Sequence, residues 1–219
     1  MINPFFKLTF FLSLLVITAT GLANQEACSE FSEEPTLCCF PQPLIEVKGG
    51  YFRFSSSKIR QIYDTGGLDV QLCASYPFQN INSRWTLNTY GAVEYFHRSG
   101  KSINGNEKTE LWSIPINIGL KPVYSINSNT QYYFAIGPRY LYIHQHNDSP
   151  YVYKNKSGNG FGIFVNTGFN YAPWDHFVID IFGEYSYAKI NSHSGRAGVY
   201  ATSMQIGGLT LGGGLGYEF

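Results

Sequence analysis

The sequence predicts an all-β protein, an eight-stranded antiparallel up-and-down transmembrane β-barrel, and three observations carry that prediction. The closing stretch 209–219 (LTLGGGLGYEF) sets Leu209, Leu211, Leu215, Tyr217 and Phe219 on one face and Thr210, Gly212, Gly214, Gly216 and Glu218 on the other. A wall with lipid outside and a narrow lumen inside needs that division, large and apolar outward, small or polar inward. Second, from Leu44 onward the hydrophobic period is two in eight successive segments. Third, the connectors alternate between short and long, which periodicity alone does not require.

Segment one, 44–54, turns Ile45, Val47 and Tyr51 outward and Glu46 and Lys48 inward. In segment two, 66–76, Leu68, Val70, Leu72, Ala74 and Tyr76 alternate without interruption against Asp69, Gln71, Cys73 and Ser75. Segment three, 84–97, places Trp85, Leu87, Val93 and Tyr95 outside and Asn88, Tyr90 and Glu94 inside. Segment four, 110–121, faces Trp112, Ile114, Ile116, Ile118 and Leu120 outward; Pro115 falls on an inward position, and since proline lacks the ladder donor, a bulge or break is expected there. Segment five, 131–143, directs Tyr132, Phe134, Ile136, Tyr140 and Tyr142 out and Ala135, Gly137 and Arg139 in. Segment six, 160–171, exposes Phe161, Ile163, Val165, Phe169 and Tyr171. In segment seven, 177–187, Phe177, Ile179, Ile181, Tyr185 and Tyr187 oppose Asp180, Phe182, Glu184 and Ser186. The closing stretch is the eighth.

Connectors after segments two, four and six are short and hold Pro77, Pro122 and Pro173; the others are longer and rich in Ser, Asn, Gly, Lys and His. An even meander with short turns at one rim and long loops at the other is how bacterial outer-membrane barrels are organised, short turns facing the periplasm. Both chain ends are then expected at the periplasmic rim. Aromatics gather at strand ends, Tyr76, Trp85, Trp174, Tyr217 and Phe219 at one interface and Tyr95, Trp112, Tyr142 and Tyr187 at the other, as two girdles.

Ahead of the barrel, residues 1–23 carry one Lys and an apolar run from Leu8 to Ala19, which reads as a secretory signal peptide and is shorter than a spanning helix needs. Residues 24–43 form an acidic lead-in with Cys28, Cys38 and Cys39, and 44–219 the barrel. Export permits disulfides. Connectivity stays open, within the lead-in or to other envelope proteins, with Cys73 expected inside the barrel; the adjacent Cys38 and Cys39 fit zinc-ligand spacing poorly. Aromatics at 17% with charged residues at only 14% fit a β-protein whose exterior avoids water, and a net charge of zero argues against a nucleic-acid partner.

Eight alternating segments, WSIPINIGLKPVYSI, FAIGPRY and the closing GLGYEF together resemble the small outer-membrane barrels typified by OmpA, OmpX and OmpW, over roughly residues 44–219. The resemblance implies that Tyr217 and Phe219 form the terminal signal read by the barrel-assembly machinery, with outer-membrane lipid and lipopolysaccharide as surroundings.

Alternation directs Glu46, Lys48, Asp69, Glu94, Arg139, Asp180, Glu184 and Glu218 into the lumen. Unpaired carboxylates are costly there, so Arg139 and Lys48 are expected to bridge several of them. Such a network fills an eight-stranded barrel as a polar plug, or lines a narrow conduit for ions or small solutes. Lys58, Arg60, Lys101, Lys154, Lys156 and Arg196 in the long loops suit contact with lipopolysaccharide phosphates. Lipid A deacylase barrels share the architecture and use a His and a Ser, but here the one close pair, His193 and Ser194, is adjacent in sequence, so the two cannot share a strand face. Neither a catalytic residue, a resident metal nor a cofactor is assigned. The expected role is structural or adhesive, a channel being the alternative and a lipid A-modifying enzyme a more distant one.

Overall fold

The computed structural model describes residues 42–102, 107–148, 154–192 and 203–219. The signal-peptide segment, the lead-in up to residue 41 with Cys28, Cys38 and Cys39, and the positions of His193, Ser194 and Arg196 lie outside the described residues.

Among the described residues eight strands follow one another as β1 (Leu44–Phe54), β2 (Gly66–Asn80), β3 (Trp85–Lys101), β4 (Lys108–Ser125), β5 (Thr130–Asn147), β6 (Asn155–Trp174), β7 (Phe177–Ser192) and β8 (Ser203–Glu218), with one helix, α1 (Ser57–Tyr63), between β1 and β2. Each strand pairs antiparallel with the next and β8 returns to β1, so the ring closes. Closure leaves no strand edge with unpaired backbone groups, the condition a sheet must meet in hydrocarbon. The seam runs in unbroken register from Leu44↔Glu218 to Phe54↔Gly208. It depends on glycine: a Cβ on Gly212 would lie 2.1 Å from the carbonyl oxygen of Gly49, because in so small a ring an inward Cβ is pressed onto the neighbouring strand.

The strands run further than hydrophobic alternation alone marks. Pro77, Pro122 and Pro173 sit within β2, β4 and β6 rather than in turns, and the turns contract to 81–84, 126–129 and 175–176. Asparagine shapes two of them: Asn82 Oδ1 accepts from the amides of Arg84 and Trp85, each at 2.9 Å, and Asn127 Oδ1 from that of Asn129 at 3.0 Å. Register shifts occur between Pro77 and Gln79 and between Tyr171 and Trp174, both beside a proline. At Pro115 no bulge forms. The β3–β4 ladder pauses between Val93↔Ile116 and Phe96↔Ser113 and resumes in the same register.

Helix α1 replaces part of what reads as a loop. Its Ile59 and Tyr63, four residues apart, fall on one face and are both buried. Outside, the wall carries large exposed apolar side chains, among them Leu68 (70% exposed), Phe161 (74%), Ile181 (67%) and Leu215 (67%). An apolar surface this continuous belongs against lipid.

Candidate functional site

The lumen is filled in three zones. Nearest the short turns, Lys48 Nζ lies 2.9 Å from Asp180 Oδ2 and 3.3 Å from Glu46 Oε1, and donates to Tyr133 Oη at 3.0 Å. Lys121 Nζ donates to the other oxygen of Glu46 at 3.1 Å and sits 4.2 Å from the centre of the Tyr133 ring. Two cations thus face two carboxylates, and both ammonium groups lie near the Tyr133 ring, 4.9 and 4.2 Å from its centre.

At mid-height Arg139 takes Glu94 with both of its terminal nitrogens, at 2.8 and 2.7 Å, and reaches Glu184 Oε1 at 2.8 Å. Asn117 donates to Glu94, and Asn166 donates to Glu184 at 3.1 Å. Asp69 accepts from Gln71 at 2.9 Å. Planar guanidinium geometry explains why arginine stands here: one side chain serves two carboxylates that sequence places on strands either side of it.

Toward the long loops the interior changes character. Phe52, Phe54 and Phe96 meet edge to face, with centroids 4.9 to 5.5 Å apart. Leu111, Leu141, Ile143, Ile190 and Ile206 surround them, and Ile59 and Tyr63 of α1 close the top. Helix α1 is tied down by Arg60 Nη1, which donates to the carbonyls of Phe54 (2.8 Å) and Ser55 (3.1 Å), and by Arg98, which pairs with Asp64 at 2.9 Å and donates to the Tyr63 carbonyl at 3.2 Å. Burial pushes the Tyr63 phenol above its ordinary pKa, partly offset by hydrogen bonds to Thr109 and Gln145, so it stays a neutral hydrogen-bonding group. Between the aromatic and ionic zones a cavity of about 20 Å³, lined by Phe52, Phe96, Asp69, Glu94, Arg139 and Ser113, has room for roughly one water.

Of the lumen residues expected from alternation, Glu46, Lys48, Asp69, Glu94, Arg139, Asp180 and Glu184 are buried, in two separate clusters rather than one network. Glu218 departs from expectation: it stays half-buried at the rim and joins none of the ion pairs formed by the described residues. Lys121 is the member that sequence reading missed. Its odd-numbered position, shared with Asn117, points inward at the end of segment four, just before Pro122. The apolar zone is a second correction to a wholly polar plug, and it follows from Phe52, Phe54 and Phe96 sharing the inward parity of the charged residues below them.

The expected loop cations divide. Lys58 is exposed on α1, and Lys154 stands exposed just before β6. Arg60 is committed to backbone carbonyls, while Lys101 and Lys156 belong to β3 and β6, because those strands continue past the apolar band. At the opposite rim Phe219 is 60% exposed, its ring 5.0 Å from that of Tyr217, and its amide donates to the Pro43 carbonyl at 3.1 Å, so both ends of the barrel segment meet there. His144 and His146 share an outward face of β5, bonded across to Ser157 (2.9 Å) and Asn155 (2.7 Å).

No protein-family model matches the chain, and no curated protein sequence does. Solved structures are similar in fold. OprG, an outer membrane protein of Pseudomonas aeruginosa, is 16% identical over 81% of this chain and 96% of its own, with a TM-score of 0.52. Neisserial surface protein A is 18% identical over 81% and 97%, with a TM-score of 0.50. The outer membrane enzyme PagL, 11% identical over 80% and 99%, reaches a TM-score of 0.46, too low for anything to be carried over. Closed ring, up-and-down order, apolar exterior and these likenesses together give the chain the fold of the small eight-stranded outer-membrane β-barrels.

Proposed function

We propose that this chain is an integral protein of the bacterial outer membrane with a structural or surface-interaction role, and that it neither conducts solutes nor catalyses a reaction. The observation that supports this reading is the sealed lumen: the Phe52–Phe54–Phe96 cluster and helix α1 stand above the Arg139 and Lys48 ion-pair clusters, with free space of about 20 Å³ between. An ion crossing it would have to displace packed aromatic rings and break buried ion pairs. Short turns and both barrel ends are taken to face the periplasm, with Tyr217 and Phe219 as the segment read by the assembly machinery. The lead-in, with Cys28, Cys38 and Cys39, is taken to link to other envelope proteins. Lys58, Lys154, Lys156 and Arg196 are the proposed contacts to lipopolysaccharide at the cell surface.

The test is electrical. Refolded protein in planar bilayers should show no unitary conductance, and discrete steps at neutral pH would overturn the reading in favour of a channel. Incubation with lipid A should leave its acyl chains intact; loss of one chain would restore the enzyme alternative.

A further inference from the structure

The buried charges of the lumen do not balance. In the lower cluster Lys48 and Lys121 stand against Glu46 and Asp180, two cations to two acids. At mid-height Arg139 stands alone, among the described residues, against Glu94, Glu184 and Asp69, and all four are at most 5% exposed. Arg139 spends its short contacts on Glu94 and Glu184. Asp69 is left over. Among the described residues no cation lies within ion-pair distance of it. Its Oδ2 accepts from Gln71 at 2.9 Å, but its Oδ1 has no hydrogen-bond partner, although the residue is only 2% exposed. A carboxylate stripped of water and left without a counter-charge is strongly unfavourable. Asp69 lines the cavity of about 20 Å³ between the aromatic and ionic zones, together with Glu94, Ser113, Ser186 and Pro115. Pro115 has no amide to donate, and it sits where the β3–β4 ladder pauses. The cavity therefore combines an orphaned carboxylate oxygen, a surplus of negative charge and room for one small guest.

We propose that this cavity binds one monovalent metal cation, Na⁺ or K⁺, with Asp69 as its charged ligand. A water would satisfy the orphaned oxygen but leave the surplus charge; a cation answers both. Carboxylate and hydroxyl oxygens are hard ligands and suit an alkali or alkaline-earth ion rather than a transition metal. Ca²⁺ takes roughly 6–8 oxygens and Mg²⁺ keeps several waters, and neither shell fits a space for about one water. Among the described residues no three His, Cys, Asp or Glu side chains converge to hold a metal, so a singly charged ion is what remains. Asp69 belongs to β2, Glu94 to β3 and Ser113 to β4, so the ion ties three consecutive strands at the height of Arg139. It is held rather than in transit, since aromatic rings close the lumen above it and ion pairs below. The site thus goes beyond the structural role proposed above: it makes the stability of the barrel depend on the cation present.

The full chain, refolded in neutral detergent at one fixed pH, is unfolded with urea in NaCl, KCl or choline chloride of equal concentration. At a given urea concentration the unfolding equilibrium constant should be about tenfold smaller in saturating Na⁺ or K⁺ than in choline, approaching that limit along a one-site curve. Asp69→Asn removes the charged ligand and part of the surplus, and should fold with no difference among the three salts. Ser113→Ala keeps the charge but loses a hydroxyl at the cavity, and should weaken the response. Glu110→Gln alters an acid on the outward face of β4 and should respond as wild type does. Heat-modifiable gel mobility establishes that each variant is folded. Equal stability in the three salts would leave Asp69 to a proton or a water and overturn the assignment. An undiminished response in D69N or S113A, or its loss in E110Q, would overturn it as well.

Discussion

Replacing Arg139 with Met tests the ionic zone directly. The guanidinium makes three short contacts, two to Glu94 and one to Glu184, and all three residues are at most 5% exposed. Methionine fills much of the volume but leaves two carboxylates facing each other in a buried site with room for roughly one water. Removing one partner of a buried ion pair typically costs about 3–5 kcal/mol, because the remaining charge stays buried without compensation. With a urea slope of about 2 kcal/mol per molar, the unfolding midpoint in lipid vesicles should fall by roughly 1.5–2.5 M. The triple variant R139M/E94Q/E184Q removes the charges together and should recover most of that loss. Single E184Q keeps Arg139 paired with Glu94 and should cost only about 1 kcal/mol. If R139M lost less than about 1 kcal/mol, or if the triple variant were no more stable than R139M, the ionic cluster would not be what the packing describes.

Further expectations follow from other parts of the wall. Gly212→Ala should destabilise by about 1–3 kcal/mol, since its Cβ would meet the Gly49 carbonyl at 2.1 Å, whereas Gly49→Ala, with nothing within 4 Å, should be neutral or slightly stabilising; equal effects would contradict the seam geometry. Ile118→Arg, 60% exposed on the lipid face, should cost about 2–4 kcal/mol in bilayers if it lies near the midplane, and a cost under 0.5 kcal/mol would place it at an interface instead. Asn117→Ala, one residue before it and inward, should cost about 1–3 kcal/mol by leaving Glu94 and Arg139 each a hydrogen bond short, measured by the same unfolding assay. Deleting Phe219 removes an exposed rim aromatic worth about 1–3 kcal/mol, so folding in detergent should survive while insertion in cells drops; unchanged cellular insertion would end the assembly-signal reading.

What the sequence determined by itself was everything governed by alternation: fold class, strand number, and which side of the wall each residue occupies. The reason is local. In a strand successive side chains point to opposite faces, so inward placement of Glu46, Glu94 or Asp180 needs no knowledge of any other strand. Strand ends were less legible because hydrophobicity marks the lipid-facing band and not the hydrogen-bonded ladder, which continues through Lys101, Lys108 and Lys156 into polar surroundings. Which charges meet was decided only by the closed ring. Arg139 joins Glu94 and Glu184, each 45 positions away, and Lys121 reaches Glu46 across 75, separations that no pattern along the chain encodes. Curvature decided the rest: a narrow ring brings side chains from opposite walls into contact, so Phe52, Phe54 and Phe96 form one cluster and α1 settles over it.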